Sequence, residues 1–262
     1  VEVWILHIAE AKVTKLTEAN VNANMRSTIN WFKDNKYLLV KMLPTNRKPL
    51  INVAVAVPTG PTVSVSNGEK AQNRTYQDLL KNKNDEFNFE QLVLADIYKI
   101  DLNGSSTLWK GSDMYLNTSF SPDGNYVMVT TIGKPFSYLV TYSRFPSTTT
   151  IYKSNGDFVK TVLEVPLIED LPKGFMAERT GKRDLNWRND KPSTLFWAEA
   201  LDEGNPEINV PFRDEVFQQD HDALPYYLGM SMGLSNSYLS LKRGNEFLVP
   251  NAGAVNLIAP IQ

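Results

Sequence analysis

The chain has 262 residues, 42% of them hydrophobic and 21% charged, with a net charge of −2 and no cysteine. These values are those of an ordinary globular protein, and the missing cysteine excludes disulfide scaffolds, thiol nucleophiles, zinc ribbons and iron–sulfur ligation. Lys and Arg are scattered rather than striped, so the footprint of a nucleic-acid binder is missing, and no apolar run reaches the ~18 residues that span a bilayer.

The first predicted element is a hairpin, with an apolar run over residues 4–8 and a turn near Glu10 and Ala11. No Met precedes Val1, and the strand is already under way at Val3, as expected of a chain that starts inside a longer protein. Next comes an aromatic–x–x–Asp turn, Trp31-Phe32-Lys33-Asp34-Asn35-Lys36, leading into Tyr37-Leu38-Leu39-Val40. A large aromatic closes one strand, turn formers follow, and an apolar β-prone run begins the next. Residues 43–91 then interrupt the pattern with an insertion that holds four prolines, and helical periodicity is weak along the chain except over 75–81. The hairpin signal returns over 97–100 with Asn103-Gly104. The aromatic turn returns at Phe120-Ser121-Pro122-Asp123-Gly124-Asn125, before Tyr126-Val127-Met128-Val129. A third hairpin follows at Ile151-Tyr152 with Asn155-Gly156, and a looser aromatic turn at Trp187-Arg188-Asn189-Asp190-Lys191-Pro192, before Leu195-Phe196-Trp197. Asn-Gly between apolar runs predicts a type I′ turn, with positive φ at both positions.

Two signatures alternating in a fixed order mark a structural repeat, and a pair of hairpins is a unit of four antiparallel strands, the blade of a β-propeller. The expected fold class is therefore all-β, a partial propeller. Several strands are apolar at successive positions, which requires cover on both faces, so the blades are expected to stack face to face. Residues 1–17 end one blade, 27–111 hold a second with the insertion 43–91, 115–164 a third, and 183–218 begin a fourth. Residues 219–262 form a divergent tail, open between further blade strands, a different strand set and a separately placed segment. Two whole blades and two halves are not expected to close a ring unless the tail completes it. A β-sandwich also uses many short strands, but it does not predict a paired signature that returns in order.

Gly229-Met230-Ser231-Met232-Gly233 matches the G-x-S-x-G nucleophile elbow. A triad of that kind needs an acid and then a His after the serine, and the two histidines, His7 and His221, both precede it. No catalytic residue is therefore assigned. Asp220, His221 and Asp222 carry metal-ligating groups, but three consecutive residues rarely converge on one ion, and no metal or cofactor is expected. The adjacent acids Asp85-Glu86 and Glu169-Asp170 read as solvated loop residues.

Several segments are familiar when taken together: Pro58-Thr59-Gly60-Pro61, Arg74-Thr75-Tyr76-Gln77-Asp78-Leu79-Leu80, Pro135-Phe136-Ser137-Tyr138-Leu139-Val140, Tyr142-Ser143-Arg144-Phe145-Pro146, and Trp187 to Pro192 with Trp197-Ala198-Glu199-Ala200-Leu201-Asp202. On these residues the chain resembles the propeller of the prolyl-oligopeptidase family of serine peptidases. The likeness is greatest to the bacterial branch related to plant chloroplast glutamyl endopeptidase, and it runs over about residues 1–218. The resemblance implies an oligopeptide substrate and a C-terminal α/β-hydrolase domain of the same protein, outside this chain, that carries a Ser, Asp and His triad. It further implies a periplasmic or otherwise exported location. The insertion would line the cavity between the two domains, or else pack on a blade edge. Arg144 is the candidate substrate-binding residue, because a guanidinium fits a carboxylate in bidentate fashion, as an enzyme cleaving after Glu requires. Arg183 and Arg188 have weaker claims of the same kind. The alternative function is a stand-alone propeller that binds a protein or peptide without catalysis.

Overall fold

The computed structural model describes residues 1–57, 60, 76–174 and 176–220, and residues 226–231 as strand backbone. They fall into two compact units. The first holds Val1–Phe120 and Gly124–Glu169, and the second holds Ser121–Asp123 and the described residues from Asp170 on.

The first unit opens with a two-stranded sheet, β1 (Trp4–His7) and β2 (Lys12–Lys15). A four-stranded sheet follows, made of β3 (Ile29–Trp31), β4 (Tyr37–Met42), β5 (Ala95–Asp101) and β6 (Ser106–Asp113) in that spatial order. A second such sheet contains β7 (Tyr115–Phe120), β8 (Tyr126–Ile132), β9 (Ser147–Lys153) and β10 (Phe158–Val165), again in chain order. The second unit carries the third four-stranded sheet, β11 (Arg183–Trp187), β12 (Thr194–Ala200), β13 (Asp214–Asp220) and β14 (Tyr226–Ser231). Every strand pairing among the described residues is antiparallel. An up-and-down four-stranded meander repeated three times is the blade pattern expected from the alternating signatures. The third sheet runs across residue 218, since β13 ends at Asp220 and β14 lies beyond it.

The apolar runs explain how the sheets of the first unit pack. Side chains alternate between the two faces of a strand. On β4, Leu39 joins Phe32, Ile97, Trp109, Tyr115, Val127 and Val129 in one cluster. Its neighbours Leu38, Val40 and Met42 point the other way, into a cluster with Val3, Leu16, Val21 and Ile100. One face of the first four-stranded sheet is thus covered by the second, and the other by the β1–β2 hairpin and the chain that follows it.

Two local expectations are corrected. In each Asn-Gly pair only the glycine has positive φ, +91° at Gly104 and +97° at Gly156, so the turns are not type I′. Gly104 N donates to Asp101 O at 3.1 Å, and Asp101 N to Ser105 O at 2.9 Å. Gly156 N likewise donates to Lys153 O at 2.8 Å, and Lys153 N to Asp157 O at 2.8 Å. Each is a three-residue loop, a type I turn closed by one left-handed glycine, and the extra residue removes the need for a second left-handed position. The Asp101 carboxylate adds a reason for the register, because its Oδ1 accepts from Asn103 N at 2.8 Å and Ser105 N at 2.9 Å.

The helix expected over 75–81 is displaced. Thr75 lies outside the described residues, residues 76–81 are not helical, and the helix is α1 (Lys83–Val93). Capping decided its place rather than periodicity. Asn82 Oδ1 accepts from Asn84 N at 2.9 Å and Asp85 N at 3.0 Å, and Asp85 and Glu86 put negative charge on the first turn. At the other end Asn22 Nδ2 donates to Leu92 O at 3.0 Å and Leu94 O at 2.8 Å. Asn22 is buried, so its replacement by Ala takes the side-chain donor from Leu94 O, while Leu92 O keeps Asn24 Nδ2 at 2.8 Å. Asn22→Ala is expected to cost about 1–3 kcal/mol, and the exposed Asn24→Ala less, measured as shifts of the denaturant midpoint at unchanged slope.

Candidate functional site

The insertion and the β8–β9 connection meet on α1. Phe89 of the helix packs edge-on against Phe136 at 5.2 Å and Phe145 at 5.7 Å, and Phe136 stacks on Phe145 at 5.2 Å. These rings cover a cluster of Val93, Met114, Ile132 and Val140. Polar contacts fix the angle of approach. Lys134 Nζ pairs with Glu90 at 2.8 Å, and Tyr138 Oη donates to Glu86 Oε1 at 2.5 Å. Burial works to raise the pKa of Glu86, but the hydrogen bonds from Tyr138 and Lys83 outweigh it and hold the carboxyl below its ordinary value. On the other side of the helix, Arg47 Nε donates to Gln91 O at 2.8 Å, and Ile51 exchanges two hydrogen bonds with the Asn88 side chain.

Arg144 ends a single 3-10 turn, Tyr142–Arg144, in this connection. Phe145 buries directly after it, and Arg144 O accepts from Ile168 N at 3.0 Å, so the backbone is held on both sides. The guanidinium lies 5.7 Å from the centroid of the Tyr76 ring and pairs with no carboxylate among the described residues. Tyr142 and Leu139 are exposed beside it in sequence. An arginine with a fixed backbone, one aromatic neighbour and free donors can accept a carboxylate in bidentate geometry.

In the second unit, Arg183, Arg188 and Arg213 are occupied. Arg183 is buried and paired with Asp214, with Glu178 Oε2 4.0 Å from its Nη1. Burial raises the Asp214 pKa, and Arg183 opposes the rise. Arg188 donates to both oxygens of Asp190, at 3.0 and 2.6 Å, and to Gln218 Oε1. The Asp190 carboxyl is accordingly held below its ordinary value by the Arg188 hydrogen bonds. Arg213 Nε binds Asp202 Oδ2 at 2.5 Å, and that carboxylate is fully buried, taking Gly204 N at 2.9 Å on its other oxygen. These arginines hold the third sheet and its loops together, which removes the substrate claim made for Arg183 and Arg188.

Among the described residues, the remaining sequence candidates are not brought together. His7 sits on β1 opposite Lys12. Gly229, Met230 and Ser231 continue the ladder of β14 opposite Val216, Glu215 and Asp214, while Met232, Gly233, His221 and Asp222 lie outside the described residues. Asp85 caps the approach to α1, its Oδ2 accepting from Lys81 N at 2.9 Å, and Glu169 accepts from Ser137 Oγ at 2.6 Å. Among the described residues no cluster of His, Asp and Glu could hold a metal ion, and no helix is long and apolar enough to cross a membrane. Lys41 is a buried charge outside the sequence candidates, and its signal is a lysine inside the run Tyr37-Leu38-Leu39-Val40-Lys41-Met42.

No protein-family model matches the chain. Among curated proteins it is 31% identical over 230 residues to a probable chloroplastic glutamyl endopeptidase of Oryza sativa subsp. japonica, and 33% identical over 231 residues to one of Arabidopsis thaliana. The chain is peptidase-related. The matches take in 84% and 85% of this chain but 24% and 23% of those relatives, so it spans about a quarter of their length.

The paired and unpaired arginines predict opposite responses to truncation. Arg213→Met leaves Asp202 buried without its partner and should cost about 3–5 kcal/mol, part of which Asp202→Asn in the same chain recovers. Arg144→Ala should cost less than about 1 kcal/mol. Chemical denaturation of the three variants reads both.

Proposed function

We propose that this chain is the non-catalytic propeller portion of a serine peptidase, which admits and positions oligopeptides for a triad carried elsewhere in the same polypeptide. The observation that carries the reading is the homology itself: nearly the whole chain aligns with proteins named as endopeptidases, yet it accounts for only about a quarter of them. The reaction would be serine attack with a histidine base, an acyl-enzyme and then water, on residues of the α/β-hydrolase partner domain. The periplasmic or exported location implied by the resemblance is part of the same proposal.

Within it, Arg144 reads a substrate carboxylate. A guanidinium without a resident counter-ion, presented on a one-turn helix whose backbone is pinned, has the donors such a group needs. In the full-length polypeptide, Arg144→Ala should lower kcat/KM for a Glu-containing peptide by roughly 10- to 100-fold, the worth of a charged hydrogen-bonded pair, and leave an Ala-containing peptide unchanged. Equal losses on both peptides would remove Arg144 from substrate recognition.

The division of labour has its own test. The 262-residue chain, treated with a fluorophosphonate probe and weighed intact, should gain no adduct. An adduct that disappears in Ser231→Ala would make the tail a working nucleophile site and sink the proposal.

A further inference from the structure

Lys41 is 2% exposed on β4, at the contact between the first and second four-stranded sheets. Its Nζ donates to Arg26 O, in the segment before β3, and to two carbonyls of β7, Tyr115 O at 3.0 Å and Leu116 O at 3.5 Å. Among the described residues no carboxylate pairs with it, and Lys99, opposite Leu39 on β5, has its Nζ over the Phe32 and Tyr37 rings, at 4.8 and 3.9 Å from their centroids. Arg26 contributes only its carbonyl. On β5, the Asp96 carboxylate takes a 2.5 Å hydrogen bond from Ser112 Oγ, and Tyr98 stands opposite Val40. Asp113 accepts from Met114 N at 2.7 Å, and the Tyr115 hydroxyl donates to Gly111 O at 2.5 Å. Between β3 and β7, Asn30 Nδ2 donates to Thr118 Oγ1 at 2.8 Å.

A buried ammonium with carbonyl dipoles but no counter-ion is disfavoured against the free amine. The neutral amine keeps two hydrogens, enough for Arg26 O and Tyr115 O, and gives up only the longest contact. We propose that the seam between β4 and β7 is a proton-coupled latch: loss of the Lys41 proton tightens the second sheet on the first, and protonation favours opening that returns the ammonium to water. Burial pushes the Lys41 pKa down to about 8, whereas an amine exposed by opening titrates near its ordinary value of ~10.4. Between these values the closed seam binds fewer protons than the open one, so closing gains on opening as pH rises, and below about 8 the balance is flat. The inference concerns the chain itself and stands whether or not the peptidase reading holds.

Two measurements on the 262-residue chain decide it. Side-chain NMR of labelled lysines should place the Lys41 midpoint near pH 8, with exposed lysines near 10.4. Amide hydrogen exchange, corrected for its intrinsic pH dependence, should give flat protection of the β7 amides below pH 8 and a rise approaching about tenfold per pH unit above it. In Lys41→Met the rise should vanish. A Lys41 midpoint near 10.4, flat wild-type protection, or the same rise in Lys41→Met would each overturn the latch. If Lys41→Met does not fold, the wild-type titration and exchange profile decide alone.

Discussion

Burial of the first four-stranded sheet on both faces is the constraint on which the rest of the first unit depends. A strand that shows Leu38 and Val40 to one neighbour and Leu39 to another cannot lie at a surface, because whichever face were opened would put large aliphatic groups in water. Each such side chain contributes roughly 1.5–3 kcal/mol when buried. The sheets must therefore be stacked, and once they are, their backbone polar groups are satisfied within each meander and the variable chemistry moves to the connections. The aromatic–x–x–Asp turn serves this arrangement directly. Phe32, the residue after the Trp31 that opens one such turn, sits in the cluster between the sheets and meets Phe120, the aromatic that opens the next, at 4.8 Å.

Stacking of this kind leaves little freedom for polar groups at the seam, and the exceptions are informative. Thr118 and Asn30 satisfy each other across it without charge. Lys41 brings a charge there and meets only carbonyls. A carboxylate in the same place would have fixed the ammonium and made the seam indifferent to pH near neutrality; its absence is what ties the closure of the sheets to a proton. The insertion solves a different problem with different means. Its helix is polar along most of its length, so aromatic packing through Phe89 is supplemented by caps, by Asn22 and Asn88, and by ion pairs at Glu86 and Glu90.

The sheet architecture was legible in the sequence because it rests on signals that are local and repeated: an aromatic, a turn, and an apolar run with a fixed successor. Asn103-Gly104 and Asn155-Gly156 marked their hairpins correctly, yet not the turn type, since loop length is set by strand register and register depends on partners far along the chain. Helix α1 was placed some eight residues too early for a related reason. Its apolar content is low, and its limits are set by Asn82 and by Asn22, the latter about 70 residues away in sequence. The candidate site was legible only as residue types. Arg144, Arg183 and Arg188 look alike in a sequence, and they are told apart by whether a carboxylate reaches them in the fold.

That last distinction is where the chemistry of this chain resides. Removing an arginine from a buried pair strands a charge, so Arg183 and Arg213 are bound to the fold by the cost of their own partners. Arg144 carries no such obligation: its backbone is anchored by Ile168 and by the burial of Phe145, while its guanidinium has only the Tyr76 ring for company. Anchoring the backbone and leaving the charged end unpaired reduces the entropy that a ligand must overcome to order the side chain, and it leaves the donors unspent. A residue needed only for stability would gain nothing from that combination, because an unpaired charge at the edge of an aromatic cluster adds desolvation without a compensating pair. On the proposed reading, the group that takes up those donors is a carboxylate of a peptide substrate.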